Sequence, residues 1–135
     1  MSSSVFIMQI KLDRIISELT NMGVKQGDTL LVHSSYTAIG RVEKGPIEVI
    51  NALLKAIGKE GTLLMPGFRG GQAYTIAVEN KVFETKATPS EMGTITKLFI
   101  ENFPSKRSLH PTHSITGMGL KSDEILAGHE KCLVS

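Results

Sequence analysis

Tryptophan is absent from this 135-residue chain, aromatic residues make up 5% of it, and it holds one cysteine. A lone Cys132 excludes an internal disulfide framework and fits a reducing compartment. It lies near the last residue with no supporting pattern around it, so it is not the expected nucleophile. Long apolar runs are missing too. None approaches the ~18 residues that a membrane span needs. The opening MSSSVFIMQI has no charged region before its short apolar stretch, unlike a signal peptide. A soluble, cytoplasmic protein without a membrane partner is therefore expected. Charge of one sign is equally scarce. The formal net charge is 15 − 13 = +2, and apart from Lys106-Arg107 the basic residues are scattered. No phosphate-tracking stripe forms, and no nucleic-acid partner is expected. The glycine fingerprints GxGxxG and GxxxxGK[ST] are absent, as is the GxSxG elbow. Ordinary dinucleotide, P-loop and α/β-hydrolase readings lose their support.

What is present suits one globular domain over residues 1–135. Apolar residues make up 41% and charged residues 21%, enough for a core and close to the usual globular balance. Leu12, Ile15, Ile16, Leu19 and Met22 fall at helical spacing, with Gly23 as a stop. The apolar run from Thr29 predicts a strand to His33, buried on both faces. Pro46 opens a helix whose apolar face is Ile47, Ile50, Leu53, Leu54 and Ile57, and Gly58 ends it. A second strand follows over Thr62 to Met65, giving a parallel strand–helix–strand unit. The stretch from Pro66 to Thr88 is the least regular and reads as a connecting or binding loop, with a short strand possible within Tyr74 to Phe83. Ser90 caps a third helix carrying Met92, Ile95, Leu98, Phe99 and Phe103, with Gly93-Thr94 in its first turn and Pro104 closing it. Ile115 to Gly119 predicts another strand, and Ser122 caps a last helix over Asp123 to Ala127. The fold class is α/β, with a mixed sheet flanked by helices.

Two polar clusters stand out. His33-Ser34-Ser35-Tyr36-Thr37 follows the first strand, and Arg107-Ser108-Leu109-His110-Pro111-Thr112-His113-Ser114 precedes the strand at Ile115. In open α/β sheets ligands bind at the carboxyl ends of the strands, so the two clusters are expected to face one crevice. Three chemistries suit these residue types. Hydroxyls and backbone N–H groups leading into a helix can cradle phosphate, with Arg107 adding a charge-assisted bond. Serine and histidine can form a nucleophile–base pair if they come within hydrogen-bond reach. His110 and His113 could ligate a metal, but they straddle a proline and no carboxylate pair lies nearby, so no metal is expected. The alternative to all three is that these serines and threonines cap turns and helix ends.

Taken in order, GVKQGDTLLVHSSYTAIG, GPIEVINALLKAIGKEGTLLMP, TPSEMGTITKLF and RSLHPTHSITGMG resemble the aminoglycoside 3-N-acetyltransferase family. The likeness runs from about Leu12 to His129. It implies an α/β fold distinct from the GNAT acetyltransferases, and transfer of acetyl from acetyl-CoA to the 3-amino group of an aminoglycoside antibiotic, which confers resistance. It also implies that His33, Ser34, Ser35, Tyr36 and Thr37 line the CoA site, together with Arg107, Ser108 and Ser114 and with His110, Thr112 and His113 in the second loop. Family members are roughly twice as long, so the chain corresponds to the N-terminal half and reads as a truncated copy. The family's Thr-x-Leu-His-x-Ala-Glu segment, with its general base, is not in this sequence. His110 and His113 are the remaining catalytic candidates, and Glu84 and Glu91 the substrate-binding ones. The glycine-rich stretch from Phe68 to Phe83 departs from the family's polar pattern, which leaves the amine open. Acetyl transfer is then expected to be impaired or absent. The other expectation is a non-catalytic CoA-binding module, perhaps a homo-oligomer that covers the face left bare.

Overall fold

The computed structural model describes residues 8–67, 93–110 and 113–131. The elements are α1 (Leu12–Asn21), β1 (Thr29–Leu31), α2 (Tyr36–Ile39), α3 (Ile47–Ile57), β2 (Thr62–Pro66), α4 (Thr94–Asn102), β3 (Lys106–Arg107), β4 (Ile115–Gly119) and α5 (Ser122–Leu126). A 3-10 turn over His129–Lys131 follows. Four strands form one mixed sheet in the order β1-β2-β4-β3. β1 runs parallel to β2, with Leu31 beside Leu64, whereas β4 runs antiparallel to both β2 and β3.

β2 is the buried centre, with all five residues shielded from solvent. Strand alternation sends Leu63 and Met65 to one face, where they join Val49, Ile50, Leu53 and Ile57 of α3 and Ile95 and Phe99 of α4 in the main core. Each such side chain contributes roughly 1.5–3 kcal/mol by leaving water. α1 packs on α3 from outside, with Ile15 and Leu19 half-buried against the core. The opposite face carries Leu64, and among the described residues only α5 packs on it, through Leu126 near Gly117. Leu31 remains 54% exposed and Ile125 42% exposed.

Several local expectations shift. Burial on both faces holds for β2 but not for β1, where Thr29 and Leu31 are exposed and only Leu30 turns inward. β1 is an edge strand with one neighbour, so its apolar run does not report double coverage. The strand also stops at Leu31, although Val32 still donates its N–H to the Leu64 carbonyl at 2.8 Å. The buried face of α3 is Val49, Ile50, Ala52, Leu53, Ala56 and Ile57, while Ile47 is 37% exposed. The helix is sandwiched between α1, α4 and the sheet, so small residues face the close contacts and the face rotates away from Ile47. α4 begins at Thr94, because Gly93 has a non-helical φ of 101°. Ser90 and Met92 lie outside the described residues. Ser122 lies inside α5 after the N-cap Lys121, and its hydroxyl donates to the Gly119 carbonyl at 2.9 Å. The stretch from Tyr74 to Phe83 lies outside the described residues.

Gly119 gives the fold a sharp test. Its φ is +124°, and a Cβ there would run into the Gly61 carbonyl oxygen across the β2–β4 pairing. Gly23 has a similar φ of +104° with nothing within 4 Å. Gly119→Ala is expected to lose roughly 2–4 kcal/mol in urea unfolding, from backbone strain plus overpacking. Gly23→Ala should lose only about 1 kcal/mol, from strain alone. Equal losses would show that space around Gly119 is not limiting.

Candidate functional site

The strand ends define one edge of the sheet. Chain direction puts the residues after β1, after β2, before β4 and after β3 all on the same side. The first polar cluster therefore leaves β1, the second lies between β3 and β4, and the end of β2 at Gly67 sits between them. The two clusters come to one edge, as the strand–loop pattern predicts.

They differ in what they present. His33, Ser35 and Thr37 are exposed, and the Ser35 and Thr37 hydroxyls pair at 3.0 Å. Tyr36 and Thr37, expected in an open loop, form the single helical turn α2. Tyr36 is drawn in by packing on the core, and its hydroxyl oxygen accepts the Val42 N–H at 3.4 Å. The Ser34 Oγ is buried without a hydrogen-bond partner.

The second cluster is turned inward. Arg107 is 8% exposed, Ser108 3%, His110 4% and Ser114 0%. Arg107 lies beside Thr116 on the core side of the sheet. Its Nε donates to Ser114 Oγ at 2.7 Å, and its Nη2 donates to the Gly67 carbonyl. Ser114 Oγ donates to that same carbonyl at 2.8 Å, while the Gly67 N–H donates to the Ser114 carbonyl at 2.7 Å. One residue at the end of β2 is thus gripped through both of its backbone polar groups. Arg107 and Ser114, predicted to line the cofactor site, shape that edge from beneath.

Ser108 is also engaged. Its Oγ accepts the Ile115 N–H at 2.9 Å and lies 2.6 Å from Nδ1 of His129. The His110 ring stands 4.9 Å from that of His129 and 5.6 Å from that of His113, centroid to centroid. His110 Nδ1 accepts the His113 N–H at 2.9 Å. His129 is the site residue that the sequence pattern did not single out. It follows Gly128 beyond the last helix, and only its distance from the other histidines along the chain hid it. Its pKa lies below the ordinary imidazole value, chiefly because burial disfavours the charged form and secondly because of His110. Glu130 opposes this shift and His113 reinforces it. The tilted rings do not converge on a point, and among the described residues no group of three or more His, Cys, Asp or Glu could hold a metal ion. Thr112, Glu84 and Glu91 lie outside the described residues, as does Cys132.

Among the described residues no helix is long and apolar enough to cross a membrane. A family model described as aminoglycoside 3-N-acetyltransferase matches residues 31–133. Aminoglycoside N(3)-acetyltransferase IV of Salmonella sp is 32% identical over 115 residues, which are 84% of this chain and 41% of that protein. The aminoglycoside N(3')-acetyltransferase-like protein YokD of Bacillus subtilis is 33% identical over 132 residues, covering 85% of this chain and 48% of that one. Among solved structures, the apoenzyme of aminoglycoside acetyltransferase AAC(3)-IVa superposes with a TM-score of 0.79 at 30% identity, covering 90% of this chain and 46% of that one. A structure of the same acetyltransferase in complex with apramycin gives a TM-score of 0.77 at 30% identity, with 88% and 47% covered. The chain spans about half the length of the relatives it matches.

The grip on Gly67 predicts a coupled loss of stability. Arg107→Met is expected to cost roughly 2–4 kcal/mol and Ser114→Ala roughly 1–2 kcal/mol in urea unfolding, because each leaves buried partners short of a hydrogen bond. The double variant should cost clearly less than the sum, since both side chains serve one carbonyl. Simple additivity would separate the two groups energetically.

Proposed function

The chain belongs to the aminoglycoside 3-N-acetyltransferase family, and from that premise we propose that it supplies the acyl-donor-binding portion of an acetyl-CoA-dependent N-acetyltransferase acting on an amine of an aminoglycoside. The observation that carries this reading is the meeting of the two polar clusters at one sheet edge, within a family match over residues 31–133. His33, Ser35 and Thr37 offer exposed polar groups there, suited to the phosphates and amides of CoA. Arg107, Ser108 and Ser114 hold the backbone of that edge in shape. His110 lies buried behind it, and His113 is half-buried beside it.

In the proposed reaction the amine nitrogen attacks the thioester carbonyl carbon. The carbon–sulfur bond breaks, an amide forms, and the CoA sulfur leaves as the thiolate that takes up the proton. A base must accept the amine proton as attack proceeds. Acetylation turns a cation into a neutral amide, which removes a charge that an aminoglycoside uses against anionic targets. That chemistry underlies antibiotic resistance as the proposed role. A relative of this chain has been solved with apramycin and another with sisomicin, so a polyamine sugar is the substrate class tested first.

A second reading is favoured by the shared length. The chain spans less than half of the Salmonella relative, and the Thr-x-Leu-His-x-Ala-Glu segment is not in the 135 residues. On that reading the polypeptide binds CoA without turning it over. Calorimetry with CoA and a thiol-release assay with acetyl-CoA and gentamicin or apramycin distinguish the two. The 135-residue chain is expected to bind CoA, and Ser35→Ala with Thr37→Ala to weaken binding roughly tenfold, the loss of one or two hydrogen bonds to a charged group. Thiol release should stay near background. Robust turnover would place the base within these residues, and no binding at millimolar CoA would overturn the reading.

A further inference from the structure

Ser108 and His129 are 21 residues apart, yet their side chains meet at 2.6 Å. The Ser108 Oγ already accepts the Ile115 N–H, so its single proton is left to donate to His129 Nδ1. That places the imidazole proton on Nε2, which is buried and has no hydrogen-bond partner. The His129 ring also lies against His110, which in turn accepts from the His113 backbone. His129 therefore touches both ends of the second polar cluster's inward side: the serine at its start and the histidine at its middle. Nothing else in the 3-10 turn does this. The turn itself has no buried residue.

Resting on the CoA reading above, we propose that His129 is a positioning residue of the acyl-donor edge, holding Ser108 and His110 in place through its neutral imidazole. It touches no reacting atom. Its neutral form accepts the Ser108 hydroxyl. Once protonated, Nδ1 becomes a donor facing an oxygen that must surrender its own proton's partner, and Nε2 gains a charge with nothing to receive it. The groups around it do not relieve that charge. His110 and His113 stand on the loop side as further imidazoles. Arg107 on β3 is engaged with Gly67 and Ser114, and Lys106 is paired with Asp123 of α5 at 2.7 Å. Glu130 on the same turn is exposed and is the one opposing carboxylate. Lys106, Asp123 and Glu130 line an open cleft of about 250 Å³ beside Ser108.

The sign of the pH effect follows from burial. The folded state lowers the His129 pKa below the ordinary 6.5. The folded chain therefore binds fewer protons than the unfolded one. The stabilisation is fully present above the ordinary value and is lost as pH falls through it towards the lower folded value.

Calorimetric titration of the 135-residue chain with CoA at about pH 8 and about pH 5.5 tests the proposal across the imidazole range. Affinity should fall roughly tenfold at the acid end, as one unit of linked pKa shift would give. His129→Ala should bind weakly at both. His129→Asn, whose carboxamide oxygen can accept the Ser108 hydroxyl but takes no proton, should recover most of the lost affinity and flatten the pH profile. Wild-type affinity and pH profile in His129→Ala would overturn the proposal, as would an unchanged pH profile in His129→Asn. A second arm does not depend on CoA. In NMR titrations of the free chain, the His110 ring signals should follow two protonation steps, and His129→Asn should remove one and raise the remaining midpoint. His110 signals and midpoint unaffected by either substitution would overturn the positioning role. Failure of wild-type CoA binding with this NMR response intact would overturn the function and not the role of His129.

Discussion

The grip of Arg107 and Ser114 on Gly67 is the constraint on which the functional edge depends. A guanidinium cannot be buried cheaply unless its N–H groups find acceptors. Arg107 lies on the core side of a two-residue strand, where it reaches across β4 to the end of β2. Its donors fall on a carbonyl and a hydroxyl that are themselves hydrogen-bonded to each other. That triangle fixes where β2 stops, where β4 starts and how β3 is held beside them. The loops bearing the polar clusters leave from those points, so their spacing is inherited from a buried ionic side chain.

The two faces of the sheet are unequal. One carries a core built from α3, α4 and the outer helix α1. On the other, among the described residues, α5 alone packs, and Leu31 and Ile125 stay open. A two-sided α/β sheet normally hides both faces. The match to about half of each relative accords with this imbalance, since the rest of the relatives' length has no counterpart among these residues. The family's expected fold, a mixed sheet with flanking helices, is the one found, and the solved relatives superpose on it.

The site is a division of labour between exposed and buried polar groups. His33, Ser35 and Thr37 face solvent, while Arg107, Ser108, His110 and Ser114 turn their side chains into hydrogen bonds with the scaffold. Residue type alone cannot separate these roles, because a hydroxyl that binds a phosphate and one that supports a loop look alike in a sequence. The tilted stacking of His110 on His129 adds an electrostatic element at the back of the edge, where any added positive charge meets other imidazoles.

The sequence by itself determined the elements with strong periodicity and the place of the two clusters. α1 and α3 follow from apolar spacing of three and four, and β2 and β4 from short apolar runs between glycines, because local pattern fixes which backbone form can bury those residues. The edge position of the clusters follows too, since strand ends are set by where apolar runs stop. Tertiary structure decided what no local pattern encodes. β1 is exposed on one face because it has one neighbour. β3 exists because Lys106-Arg107 pairs with β4, a two-residue match too short to carry periodicity. α3 turned its face away from Ile47 because α1 and α4 press on other positions. His129 entered the site because α5 folds back across the sheet and brings it to Ser108, a meeting between residues that are distant in the chain and adjacent only once the sheet has formed.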